Sequence, residues 1–297
     1  MNENYVMREY DKALKDIYDN GFEIEGDRTG VGIRTKFGIT TKVDISERVP
    51  ILSKRQVAWK SIVKEILWII SGSENINDLE AMGSGIWTPW KDDNFTEAGG
   101  FKQGSIGYGY GPNLRHFGGD LNDLKNNPGK DQLAEIVELL KSPEGRKSRR
   151  ILFTLWRADK IGKYDVKLPP CHHTYQFLVS PDPVTKELNR LSCFMYQRSA
   201  DYPIGVGMGN LLGGTLFTYM LAQQCGLIPH ELIHSASHCH IYHNALDATK
   251  EYLDRNEEPN SPILKIEKAK DIFSYTPEMF SIEDYNPLPK IFFPIAV

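Results

Sequence analysis

Hydrophobic residues follow two rhythms along this chain. Apolar side chains at Val6, Tyr10, Leu14, Ile17 and Tyr18 recur at close to helical spacing and predict a helix over 5–20. Alternation through Ile33, Thr35, Phe37 and Ile39 predicts a strand after the turn-rich Asp27-Arg28-Thr29-Gly30-Val31-Gly32. Residues 56–71 are nearly all apolar, from Val57 and Trp59 to Ile69 and Ile70, and predict a buried core helix. Residues 91–130 are polar and glycine-rich, with Gly107-Tyr108-Gly109-Tyr110-Gly111 at their centre, and predict a long loop region. A helix is expected over 132–141 and strands over 151–156, 175–179 and 191–196, the last two joined as a hairpin through Pro181-Asp182-Pro183. A second apolar helix is expected over 211–226 and an amphipathic one over 242–256. No repeat or linker interrupts the pattern, so residues 1–297 are expected to form one mixed α/β domain.

Composition narrows the function. The 297 residues carry a formal net charge of -4, so no global basic field invites nucleic acid, and anion binding must be local. The amino terminus is polar and has no apolar signal core. No stretch approaches the roughly 20 apolar residues that span a bilayer. The four cysteines, Cys171, Cys193, Cys225 and Cys239, have no C-x-x-C spacing. Free thiols in a reducing, cytoplasmic compartment are the expectation.

One segment concentrates reactive chemistry. Leu168-Pro169-Pro170-Cys171-His172-His173 follows Arg149-Arg150 and precedes Gln197-Arg198-Ser199-Ala200-Asp201. The prolines fix the backbone around Cys171, and a nearby imidazole or cation raises the thiolate fraction. A buried structural cysteine is the plainer alternative. Glu65 interrupts the apolar helix, which suits either a proton-shuttling carboxyl or a narrow polar stripe with Lys60 and Lys64. Arg28, Arg149, Arg150 and Arg198 form a phosphate grip only as a set, because a lone arginine is usually a surface ion pair. His230-Glu231-Leu232-Ile233-His234 matches the H-E-x-x-H zinc signature, so a zinc hydrolase through His230, Glu231 and His234 is a distant alternative. Pro229 and the strand-like 235–241 stand against the helix that motif requires.

Taken in order, these pieces resemble the thymidylate synthases and their relatives, the pyrimidine hydroxymethylases. The resemblance runs through Asp27-Arg28-Thr29-Gly30, Ile62 to Trp68, Ile86-Trp87 with Trp90, Gly107 to Gly111 and Arg115-His116-Phe117-Gly118. It continues through Ser148 to Ile151, Pro169 to His172, Tyr196 to Asp201, His240-Ile241-Tyr242, Tyr285-Asn286-Pro287 and Pro294 to Val297. It implies a large mixed sheet flanked by helices, with sheets stacking across a homodimer. It implies that Cys171 adds to C6 of dUMP, that Glu65 and His172 manage protons near O4, and that Tyr110 assists loss of the C5 proton. Arg28, Arg198 and Ser199 then grip the 5'-phosphate, joined by Arg149 and Arg150 from the other subunit. Asn210 reads the uracil edge, and His240 and Tyr242 hold the ribose. The one-carbon donor implied is 5,10-methylenetetrahydrofolate, met by Trp87, Asp201, Val297 and, at its glutamate tail, Lys54. No metal is implied, and H-E-L-I-H becomes a coincidence at a helix-to-strand connection.

Two departures touch the base. The uracil pocket reads Gly205-Val206-Gly207-Met208-Gly209-Asn210, one residue longer than the family pattern and without its phenylalanine and tyrosine, so glycines there are expected to loosen it. His238 stands where the pattern has aspartate. Asparagine at 210 favours uracil over cytosine. Methyl and hydroxymethyl products then differ by how well the site excludes water, so dUMP hydroxymethylation is the nearest alternative to dTMP formation.

Overall fold

The computed structural model describes residues 7–27, 29–255 and 260–296, so Arg28 and Val297 lie outside the described residues. The elements are α1 (Arg8–Asn20), β1 (Phe22–Ile24), β2 (Ile33–Asp44), α2 (Trp59–Ser71), α3 (Ile76–Ala81), α4 (Asp93–Gly99), α5 (Tyr110–Arg115) and α6 (Gln132–Lys141). They continue with β3 (Leu152–Thr154), β4 (His172–Pro181), β5 (Leu188–Asp201), a π-helix over Tyr202–Asn210, α7 (Leu211–Cys225), β6 (Ile228–Tyr242), α8 (Leu246–Asp254), β7 (Ile263–Ile266) and β8 (Phe280–Glu283). Six strands form one mixed sheet in the order β1-β2-β6-β5-β4-β3, and β7 and β8 pair separately.

Periodicity explains the large elements. α1 buries Tyr10, Leu14 and Ile17 as its apolar stripe. α2 buries Ile62, Val63 and every residue from Ile66 to Ile70, and it packs on α5 and α7 beneath the sheet. The β4–β5 hairpin is longer than its apolar runs suggest, reaching back to His172 and forward to Asp201. β5 then passes through the π-helix and α7 into a parallel β6, so the crossover helix covers the sheet. Tyr202–Cys225 is thereby a continuous helical run of 24 residues, long and apolar enough by composition to cross a bilayer, contrary to the sequence expectation. Its apolarity has a simpler cause: 67% of its 18-residue apolar window is buried in this core.

Three other expectations change. Residues 91–130 are not one loop, because they contain α4 and α5. Gly107 lies at φ 70°, and a Cβ there would meet the Asp165 carbonyl at 2.2 Å, so this glycine serves a close approach between chain segments. The stretch expected as a connection at 230–234 is already strand, since β6 starts at Ile228. The amphipathic helix over 242–256 begins as a 3₁₀ turn and is α-helical only from Leu246.

Candidate active site

Cys171 sits immediately before β4, held by its neighbours on both sides of the hairpin. Its backbone N–H donates to Tyr110 Oη at 2.8 Å, and its carbonyl accepts from the Arg198 backbone N–H at 2.8 Å. The Arg198 side chain crosses from β5, donating from Nε to the Pro170 carbonyl at 3.0 Å and from Nη2 to the Pro169 carbonyl at 2.8 Å. The same Nη2 lies 3.9 Å from Cys171 Sγ. A cationic donor at the sulfur is the environment in which a thiolate is stabilised. Arg198 also lies over the Trp156 ring, 5.3 Å from its centroid. The two prolines therefore do more than fix φ: their carbonyls aim the guanidinium.

An aromatic wall joins this corner to Glu65. The Tyr110 ring lies 4.6 Å from the His172 ring and 5.9 Å from the Trp87 ring, and Trp87 also meets Trp68 and Trp90. Trp87 Nε1 donates to Glu65 Oε1 at 2.6 Å. Glu65 keeps intermediate exposure, yet the surrounding protein desolvates its carboxyl and pushes it up to about 7, against the lowering effect of the indole hydrogen bond. Burial does the reverse for His172, pushed down to about 3, so its imidazole is neutral and shares a 2.7 Å hydrogen bond with the Tyr175 hydroxyl. Desolvation also raises the Tyr110 phenol well above its ordinary range, so it stays protonated.

A second group gathers where β5, β6 and β2 end together. Asp201 pairs across β6 with His240, and His240 pairs across β2 with Thr35, while Tyr242 faces Ile33. The His238 carbonyl can only accept, so His240 Nδ1, 3.3 Å away, carries the proton and leaves Nε2 as an acceptor. Burial pushes His240 down to about 4 and Asp201 up to about 7. The Asp201 carboxylate accepts the Ile204 N–H at 3.3 Å, which starts the π-helix. Beside this end, the Asp27 carboxylate accepts the N–H groups of Thr29 and Gly32.

The segment expected to carry one extra residue before Asn210 is the π-helix, whose turns hold one more residue per hydrogen-bonded ring than α turns and which leads directly into α7. The glycines do not loosen the pocket as expected. A Cβ on Gly207 would lie 2.3 Å from Tyr10 Oη, and one on Gly209 would lie 2.9 Å from Ile62 Cδ1. They are where α1 and α2 press against the π-helix. Asn210 Oδ1 accepts from Gln197 Nε2 at 3.0 Å, and Gln197 Oε1 faces His234 Nε2 at 2.9 Å. The sequence reading gave Gln197 no role and His234 only that of a zinc ligand, whereas the two face each other here. Alternation along β5 and β6 was the available signal, since Met195, Gln197, Leu232, His234 and Ala236 all point into the core.

Other candidate residues stand apart from this centre. Arg149 and Arg150 are exposed in the turn before β3, where the Arg149 carbonyl accepts from Gln176 Nε2 at 3.1 Å. Lys54 forms a 3.6 Å ion pair with Asp11 and lies over the Tyr252 ring. The zinc reading fails on geometry: His230 and His234 are four residues apart on one strand, about 13 Å at strand rise, and Glu231 pairs with Lys42 at 2.7 Å.

A profile of thymidylate synthases matches residues 8–297. The chain belongs to the thymidylate synthase family. It is 36% identical, over 98% of its length, to the thymidylate synthase of Francisella philomiragia, which it covers completely. It is 35% identical to that of Ascaris suum, over all of this chain and 99% of the relative. It is also 35% identical to the bifunctional dihydrofolate reductase-thymidylate synthase of Zea mays, over 97% of this chain and 54% of that protein. The mixed sheet flanked by helices agrees with membership of this family.

Proposed function

We propose that this chain, acting as one unit over residues 1–297, converts dUMP and 5,10-methylenetetrahydrofolate to dTMP and dihydrofolate. The observation that carries the reading is Cys171 Sγ facing the Arg198 guanidinium, beside Tyr110, His172 and Glu65. In this reading the Cys171 thiolate forms a bond to C6 of the uracil ring. The C5–C6 electron pair moves to C5, with charge spreading to O4. Glu65, balanced near neutrality, exchanges a proton with O4 through ordered water. Neutral His172 completes the hydrogen-bond network. Tyr110 keeps its proton, so it assists C5 deprotonation as a hydrogen-bond donor to the proton acceptor and not as a phenolate base.

Arg198 spends Nε and Nη2 on the Pro169-Pro170 turn and sulfur, and its Nη1 has no protein acceptor among the described residues. That nitrogen is suited to the 5'-phosphate, with Ser199 and Arg28 as further ligands. Asn210 meets the base edge. His240 Nε2 and Tyr242 receive the ribose hydroxyl. The residues also fit the one-carbon donor: Asp201 is a half-buried, desolvated carboxyl that accepts the Ile204 N–H, suited to the amide edge of a pterin, and Trp87 offers an aromatic face. When bound, the folate supplies both the one-carbon unit and the hydride. Val297 would contact it from the carboxyl terminus, and Lys54 reaches its glutamate tail by exchanging Asp11 as partner. No step requires a metal.

The reading includes a homodimer. On the sheet face away from the helices, Leu152, Gln176, Phe194, Ile233 and Lys42 form one cross-strand row, with Leu152 and Phe194 about 40% exposed. Leu178, on β4, is 62% exposed. A second sheet stacked there would cover these side chains and bring Arg149 and Arg150 to the partner's phosphate. Four free cysteines suit a reducing cytoplasm.

Hydroxymethylation of dUMP needs water at the one-carbon centre, and the tight backing of Gly207 and Gly209 removes the loosened pocket that favoured it. Product analysis tests the choice. Protein incubated with dUMP and methylenetetrahydrofolate should yield dTMP and dihydrofolate; hydroxymethyl-dUMP and tetrahydrofolate would overturn the synthase reading.

A further inference from the structure

A chain of fixed hydrogen-bond directions runs from His234 to Asn210. Gln197 Nε2 donates to the Ser199 backbone carbonyl at 2.8 Å as well as to Asn210 Oδ1 at 3.0 Å. A carbonyl only accepts, so the amide nitrogen must face Ser199 and the amide oxygen must face His234. His234, 1% exposed, therefore carries its proton on Nε2. Its Nδ1 has no hydrogen-bond partner among the described residues, which a bare ring nitrogen tolerates better than a buried N–H. Desolvation pushes His234 down to about 4, in keeping with a neutral ring. At the other end, Asn210 Oδ1 is engaged and Nδ2 has no protein acceptor among the described residues.

We propose that His234 is a positioning residue for base recognition: through Gln197 it holds the Asn210 amide with its N–H hydrogens toward the pyrimidine, matching the 4-keto group of uracil and mismatching the 4-amino group of cytosine. The proposal rests on Asn210 contacting the base. Ser199 alone fixes which way Gln197 faces, but among the described residues it is His234 that satisfies Gln197 Oε1. Without that donor the glutamine carries an orphaned buried oxygen and loses its hold on Asn210.

Binding of dUMP and dCMP to the intact protein and its variants tests this. His234→Phe should reduce the dUMP-over-dCMP preference about five- to tenfold, the loss expected for one hydrogen bond. His234→Gln, which can donate to Gln197, should restore it. An equal loss for both nucleotides, or an unchanged preference, would mean that His234 only packs the core and would overturn the proposal. Asn210→Asp is the control on the underlying reading: if it leaves the preference unchanged, Asn210 does not read the base. Should His234→Phe not fold, ¹⁵N-histidine NMR of the parent decides. A neutral Nε2–H tautomer that shifts with dUMP, but not with deoxyribose 5-phosphate, supports the relay; an Nδ1–H tautomer or no base-dependent shift sinks it.

Discussion

Trp87 Nε1 donates to Glu65 Oε1 across 2.6 Å, so one indole both walls the site and sets the proton affinity of its carboxyl. Burial raises Glu65 to about 7, and the indole N–H, which favours the ionised form, opposes that rise. Trp87→Phe keeps an aromatic ring and removes the donor. The Glu65-controlled limb of the kcat/KM profile should therefore move to higher pH, by somewhat under one unit for a hydrogen bond of about 1 kcal/mol. Glu65→Gln should lower kcat by about a hundredfold or more. An acid-ward shift in Trp87→Phe would show that the indole does not act through Glu65.

Stability carries an independent signature of the same group. Between about pH 4.5 and 7 the native state keeps Glu65 protonated while the unfolded chain ionises it. The native state then binds more protons, so unfolding free energy falls as pH rises through this window. Glu65→Gln has no such loss. Its stability advantage over the parent should grow from pH 4.5 to 7 and level off above, by at most about 3 kcal/mol. Urea unfolding at several pH values measures this. A gap that stays constant would remove the case for a raised carboxyl.

The π-helix glycines make a prediction whose sign discriminates. If Gly207 only supplied freedom, Gly207→Ala would stabilise the protein by about 0.4–1 kcal/mol through the unfolded chain. The Cβ would instead lie 2.3 Å from Tyr10 Oη, which donates to the Tyr202 carbonyl at 3.3 Å. Overpacking of this kind costs about 1–3 kcal/mol, so Tm should fall. Adding Tyr10→Phe should recover part of it. A rise in Tm on Gly207→Ala would contradict the packing account.

Much of this was legible in sequence because α2 and α7 bury long, nearly continuous apolar runs and the β4–β5 hairpin alternates. α4 and α5 were not, since seven and six residues are too few for a helical period to emerge from a glycine-rich background. Nor does a motif carry its own secondary structure: H-E-L-I-H spaced for one helix face lies extended on β6, and its last histidine turns to Gln197. Cys171, Arg198, Tyr110 and Glu65 could be named from motifs, but the mutual aim of Arg198 and Cys171 depends on two proline carbonyls that only the folded hairpin brings into line. Arg149 and Arg150 mark a different limit. A single chain leaves them exposed, and the phosphate contact proposed for them depends on the proposed stacking of a second sheet.

That dependence can be tested by complementation. Cys171→Ser should abolish turnover while retaining dUMP binding, since serine keeps the shape of the site but is not ionised at neutral pH. Arg149→Ala should lose activity chiefly through KM, because the phosphate contact is lost in ground and transition states alike. If Arg149 serves the partner's site, a heterodimer of the two variants contains one centre with an intact Cys171 and an intact Arg149. Mixing the two homodimers under subunit exchange, at dUMP well below the raised KM, should then restore activity, up to about a quarter of the parent at equal random mixing: half the dimers are heterodimers, each with one of two sites whole. If Arg149 instead served its own subunit's site, the Cys171 and Arg149 lesions would sit in different centres of the heterodimer, each centre would remain defective, and mixing would add nothing to the residual rates of the two variants.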